Sequence, residues 1–274
     1  MLTHQQILHF STFGYLVLPG LFSQSEMAAL REEVTGALAG AFGQLGTEPG
    51  GSGGITGDYL PLSVDRAPFS QSLIADDERT FLASAELLGA PTVPSPGTAT
   101  RFTGDSSWHT RLGPAIPGVT FWVDLEPRTA GTGALRLIPG SHVLEYERRL
   151  WAYGHAEPTA SGFDQPGWPE WPHVVVETGL GDAVAFHAHL FNCARGGLPR
   201  LTWTIDYLAW PGLGDPDRTR LVRDMTLEGV EYDDEDYDRD RWPAWREWAA
   251  GAARSPSRAL AVERLRLLGI TTDR

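Results

Sequence analysis

The sequence predicts a β-rich α+β fold, a sandwich or barrel of the jelly-roll kind with helices at both ends. Three observations carry this. From about Thr98 to Leu208, short segments alternate apolar and polar residues with period two, separated by Gly and Pro turns. Before Thr98 the apolar spacing is helical, with Ser23 and Glu26 forming a capping-box pattern. The chain closes on an Arg-rich amphipathic stretch over 257–268.

Taken in order, residues 3–12 read as a short amphipathic helix, Tyr15–Leu18 as a strand and Pro19-Gly20 as a turn. Ser23 opens a helix whose 3.6 period runs to about Leu38. Residues 39–58 are Gly-rich and aperiodic, which predicts a mobile loop. Phe81 to Leu88 is a further helix, stopped by Gly89-Ala90-Pro91. The strands expected next are Thr98–Thr103, Val119–Leu125, Ala134–Ile138, His173–Glu177, Ala183–His187 and Leu201–Leu208. Segment 145–172, with Trp151, Trp168 and Trp171 among Gly and Pro, is a long insertion of the lid or specificity type. An acidic run, Asp233 to Asp238, precedes Trp242, Trp245 and Trp248 at helical spacing. No repeat and no linker interrupts the chain. A single domain over 1–274 is expected, with a helical part (1–97), a strand core (98–210) and an acidic, helical extension (211–274).

Composition excludes several functions. The net charge is −13, and all 22 basic residues are Arg. Without Lys, neither Schiff-base catalysis nor covalent anchoring of pyridoxal phosphate is available. An acidic surface disfavours nucleic acid and anionic membranes, and favours neutral or cationic small molecules. Codon bias and solubility would produce the same balance. No apolar run reaches the roughly 18 residues of a spanning helix, and no signal peptide is evident. The lone Cys193 cannot form an internal disulfide, which suits a reducing cytoplasm.

Three motifs carry the chemistry: Ser107-Trp108-His109-Thr110-Arg111, Gly133 to His142 ending in Pro-Gly-Ser-His, and Gly181-Asp182-Ala183-Val184-Ala185-Phe186-His187. With the Val119 to Leu125 block, they make residues 5–210 resemble the phytanoyl-CoA dioxygenase family. That resemblance implies a double-stranded β-helix core (jelly-roll or cupin-like) with flanking helices, and a site at its mouth. The family writes its first motif Trp-His-x-Asp, and that His and Asp with a distal His hold Fe(II). Here His109 keeps its place, Arg111 stands where the carboxylate belongs, and the distal position falls on Asn192.

Electrostatics makes Arg111 the decisive departure. At an effective dielectric near 20, unit charges about 4 Å apart interact by about 4 kcal/mol. A dication would forgo roughly twice that attraction and meet similar repulsion. Asn192 is a poor ligand beside imidazole and is counted instead among residues facing a substrate. His187 and His189 are weak substitute ligands beside His109, because strand alternation turns them away from position 192 unless a bulge intervenes.

The resemblance also matches Arg200-Leu201-Thr202 to the pattern that grips the distal carboxylate of 2-oxoglutarate, a task suited to a bidentate guanidinium. The alternative is an internal pair between Arg200 and Asp206 or Asp124. Thr120, Trp122 and Asp124 share one strand face, as do Thr202, Thr204 and Asp206. If these faces line the barrel, they suit a polar, sugar-like substrate, with acids pairing to ammonium groups and Trp stacking on the ring. Ser141 and His142 are expected to shape their turn.

The favoured reading is a non-oxidative enzyme on the dioxygenase barrel. His109 acts as acid or base, and Arg111 stabilises an enolate or alkoxide. Aldol or transaldol chemistry, or epimerisation, of an amino-sugar intermediate in specialised metabolism follows, with no cofactor. One alternative is an Fe(II)/2-oxoglutarate oxygenase with substitute ligands; another is a non-catalytic binding or accessory protein.

Overall fold

A computed structural model describes residues 1–43, 56–64, 66–111, 116–154, 171–196, 198–231 and 248–270. The expected acidic run and Trp242 and Trp245 lie outside them, as does most of the 145–172 insertion. Helix α1 (His4–Phe13) starts on a Thr3/Gln6 capping box and stops at Gly14. Gly14 has φ +81°, and a Cβ there would sit 2.5 Å from His142 Nδ1, so the corner into strand β1 (Tyr15–Leu18) admits no side chain. Helix α2 (Gln24–Phe42) opens on the Ser23/Glu26 capping box and runs one turn past Leu38, into the segment expected to be loop. Strand β2 (Thr56–Pro61) takes the far end of that segment, a second correction.

Helix α3 (Pro68–Ser72) was not foreseen. Its N-terminal amides, Phe69 and Ser70, donate to Glu33 of α2 at 2.7 and 2.8 Å, so the cap comes from a distant part of the chain. Helix α4 (Glu78–Leu88) begins three residues before Phe81 because Asp77 caps it. Strands β3 (Thr92–Pro94), β4 (Thr98–Thr103), β5 (Gly118–Asp124) and β6 (Leu135–Leu137) follow. Helix α5 (Leu144–Gly154) occupies the start of the insertion, which is therefore not all loop. Then come β7 (Val174–Val176), β8 (Ala183–His187), β9 (Asn192–Ala194) and β10 (Arg200–Ala209). Helices α6 (Pro216–Glu231) and α7 (Pro256–Leu267) end the described chain.

All pairings are antiparallel. The larger sheet has the order β1-β8-β5-β10-β4-β2, with β3 also on β10, and the smaller is β7-β6-β9. Alternation assigns the two faces of the larger sheet. Val119, Phe121 and Val123 of β5, with Trp203, Ile205 and Tyr207 of β10, join the core under the helices, beside Leu30, Val34, Phe81 and Leu265. Polar tips of the large rings are satisfied there: Trp203 Nε1 donates to Ser70 Oγ at 2.7 Å, and Tyr207 Oη to Ile74 O at 2.7 Å. On the other face Trp122 packs with Leu135, Leu137, Val176, Val184 and Phe186, which joins the two sheets.

The C-terminal region is locked by Arg258, which is 1% exposed, bonds Asp76 at 2.7 Å and lies 4.5 Å from the Trp248 ring centroid. Among the described residues no helix is long and apolar enough to cross a membrane.

Candidate active site

The interior face between the sheets holds the polar stripes of β5 and β10 singled out from sequence. In the β5–β10 register Thr120 faces Asp206, Trp122 faces Thr204, and Asp124 faces Thr202. The two polar stripes therefore lie side by side. His109 joins them through a bridge to Asn192, with amide–carbonyl bonds of 3.0 and 2.9 Å in both directions. His109 is exposed, and its Nδ1 lies 2.8 Å from Ser107 O. With Nδ1–H donating there, Nε2 is the basic nitrogen of the neutral ring.

Most of the other groups are committed internally. Arg111 donates through Nε and Nη2 to both oxygens of Asp206, at 3.2 and 2.8 Å, with the two side chains 18% and 17% exposed. Thr120 donates to the same carboxylate. Asp124, 2% exposed, accepts from Trp122 Nε1 at 3.0 Å and Thr178 Oγ1 at 2.8 Å, and burial pushes its carboxyl above the usual range. Thr202 hydrogen bonds to Thr100. Asn192 donates from Nδ2 to His109 O and Leu190 O, at 3.0 and 3.1 Å.

These bonds correct three expectations. Arg111 is not an open anion stabiliser, because its fork is spent on Asp206. Asp124 and Asp206 are not poised for a substrate ammonium, since internal donors already answer both. Thr202 and Asn192 serve the framework first.

Arg200 is different. It is 2% exposed, and neither Nη1 nor Nη2 has a hydrogen-bond partner among the described residues. The internal pair with Asp206 or Asp124 is not formed, because both acids are engaged elsewhere. Burial pulls its basicity down, partly opposed by the charge of Asp105. Gly133 makes room for it: with φ +97°, a Cβ there would come within 2.6 Å of Arg200 Cδ. Thr204 Oγ1, on the same face of β10, is likewise buried and unpartnered among the described residues.

The substitute ligands do not gather. His187 faces Val119 across the β5–β8 ladder, its ring tilted against His142 and edge-on to His189, with ring centroids 5.2 and 4.9 Å away. Burial, then the neighbouring His189 and His142, push His187 down to about 3, so its ring is neutral at pH 7. This cluster belongs with the Pro-Gly-Ser-His turn. There Gly140 N–H donates to Phe13 O at 2.9 Å, Ser141 Oγ accepts from Phe191 N–H at 2.9 Å, and His142 Nε2 is 3.2 Å from Ser11 O. The turn role expected of Ser141 and His142 is what they perform.

Residues 10–196 match the family model described as phytanoyl-CoA dioxygenase. The chain belongs to that family. Among curated proteins none matches it. Its fold is similar to that of the "non-heme alpha ketoglutarate dependent epimerase SnoN from nogalamycin biosynthesis", at 19% identity and TM-score 0.57, covering 79% of this chain and 88% of that one. HygX from Streptomyces hygroscopicus, with nickel and 2-oxoglutarate bound, is 20% identical over 76% of this chain and 88% of its own, TM-score 0.59. The carbocyclase SnoK of nogalamycin biosynthesis is 18% identical, covering 80% and 90%, TM-score 0.56.

The family implies iron and 2-oxoglutarate, and the residues present answer differently for the two. For iron they do not fit. At the positions that the motif resemblance assigns to metal ligands stand a guanidinium pinned by Asp206 and an amide turned to backbone carbonyls, and no three His, Cys, Asp or Glu among the described residues are grouped for a metal. For a carboxylate, Arg200 does fit. Sequence reasoning missed Thr100, Thr178 and Gly133, which buttress Thr202, Asp124 and Arg200. Thr100 was readable, because it alternates with Thr98 along a strand that was foreseen.

Proposed function

We propose that this chain is an enzyme that has exchanged the iron centre of its family for an ion pair, and that performs proton chemistry next to a carbonyl without oxygen. The Arg111–Asp206 pair carries this reading. It puts a fixed cation, already neutralised by its own acid, where the family holds a metal ligand. The two antiparallel sheets are read as the halves of a double-stranded β-helix, with His109 at its mouth.

In this scheme a carboxylate on the substrate docks on Arg200, and His109 Nε2 removes a proton from the carbon beside a carbonyl. The products are an imidazolium and an enolate. Return of the proton gives exchange or an epimer, whereas attack of the enolate carbon on an aldehyde gives an aldol. Arg111 contributes only the positive end of the fixed Arg111–Asp206 dipole, neither a net charge nor an open fork. With no Lys in the chain, the aldol variant runs through the enolate and not through an imine. Specialised metabolism is the suggested setting, since SnoN and SnoK come from nogalamycin biosynthesis.

The test is deuterium exchange into a panel of keto- and aldehydo-acids, using chelator-treated protein under anaerobic conditions. Exchange that persists without metal and oxygen is expected. Exchange or turnover appearing only with Fe(II), 2-oxoglutarate and oxygen would return the protein to the oxygenase class.

A further inference from the structure

Three imidazoles meet where α1 docks on the larger sheet: His187 stands within ring contact of both His142 and His189. The hydrogen bonds of His142 and His187 suit neutral rings. His142 Nε2 lies 3.2 Å from Ser11 O and carries the proton, which leaves Nδ1 as the basic nitrogen. That nitrogen has no hydrogen-bond partner among the described residues and is pressed against Gly14, where an added Cβ would come within 2.5 Å of it. His187 Nδ1 accepts from the His189 N–H at 3.3 Å, so a second proton there would set one N–H against another. No counter-charge is at hand: His187 is faced by Phe10 of α1, Val119 of β5 and the other two imidazoles, and among the described residues no carboxylate acts on His187 or His142. His9 of α1 turns to Phe13 and Tyr15, and the Arg111–Asp206 pair sits with Thr120, on the opposite face of β5 from Val119. A buried cation with neither partner nor donor capacity to spare is costly, so protonation and the closed structure oppose each other.

The same cluster fastens two backbone segments. The end of α1 is tied down by His187 N–H to Gly14 O at 2.7 Å, by Gly140 N–H to Phe13 O at 2.9 Å, and by His142 to Ser11 O. The turn after β8 is closed by Leu190 N–H on His187 O at 2.7 Å. That turn also holds the candidate site, because Ala188 O accepts the Arg111 amide at 3.0 Å and Asn192 bridges His109. We propose that His142 and His187 form an acid-operated latch, which holds α1 and the 188–192 turn when neutral and releases both when protonated. The released turn takes with it the backbone bonds of His109 and Arg111, so acid disarms the site while the strands beneath stay paired. Desolvation, then His189 and His142, hold His187 down at about 3 against the usual 6.5. The closed state is therefore fully favoured above about pH 6.5, and opening grows easier as pH falls from there toward 3. The latch acts on the site whatever reaction is carried out there.

Hydrogen exchange read by mass spectrometry at pH 7 and pH 5, with rates corrected for the intrinsic effect of pH, tests the latch on the whole protein. Protection of residues 5–14, 139–143 and 188–192 is expected to fall about 20-fold or more at pH 5, the factor that one such histidine supplies. Protection of β4, β5 and β10 should change less than about threefold. His187→Leu, which removes a basic nitrogen from the cluster, should abolish most of the selective fall. Equal loss in these segments and in the strands would overturn the proposal, because the acid effect would then be global. No loss at pH 5 would overturn it too, as would His187→Leu keeping the full fall. The wild-type pattern decides the matter even if His187→Leu does not fold.

Discussion

Asp206→Ala should destabilise the protein by about 3–5 kcal/mol, the cost of stranding one partner of a mostly buried ion pair. Arg111 would lose the carboxylate that holds its fork, and Thr120 would lose its acceptor. Replacing both members by apolar residues of similar size, Arg111→Met with Asp206→Leu, should recover most of that loss. A buried pair is worth little more than the hydrophobic contacts that can replace it. Urea unfolding at pH 7 of the single and double variants measures both effects. A single-variant loss under about 1 kcal/mol would mean that the pair does not hold the former ligand position.

The second large effect is kinetic. His109→Ala is expected to lower exchange at the carbon beside the carbonyl by about 10²-fold or more, the range of a lost acid–base group. Stability should move within about 0.5 kcal/mol, because the side chain is exposed. Arg111→Lys should rescue Arg111→Ala poorly, since an ammonium cannot span both oxygens of Asp206. Losses from His109→Ala and Arg111→Ala together should fall short of their product if both serve one transition state. A His109→Ala protein that keeps more than a tenth of the wild-type rate would remove His109 from the chemistry.

What the sequence made legible follows from the range over which each signal acts. The alternation that flagged Thr120, Trp122 and Asp124 is local, and those residues do pair with Asp206, Thr204 and Thr202 across the β5–β10 ladder. The Ser23/Glu26 box is local too, and it begins α2 as expected. Helix α3 was invisible because Glu33, which caps it, lies more than thirty residues away. Strands β3 and β9, three residues each, are not among the segments that the sequence reading marks as strands. The same limit governs the site. Motif spacing assigned ligand positions to His109 and Asn192, which the structure bridges, but which acid would meet Arg111 and which Arg200 depended on packing across sheets. The outcome was an Arg111–Asp206 pair and an Arg200 whose terminal nitrogens have no partner among the described residues, so the cation expected to meet an anion is Arg200.

The measurement that bears most directly on the loss of the iron centre is an anaerobic calorimetric titration of the purified protein with Fe(II). With Arg111 on Asp206 and the Asn192 amide on backbone carbonyls, no stoichiometric tight site is expected, and adding 2-oxoglutarate should not create one. One tight site per chain that disappears in His109→Ala would contradict the account.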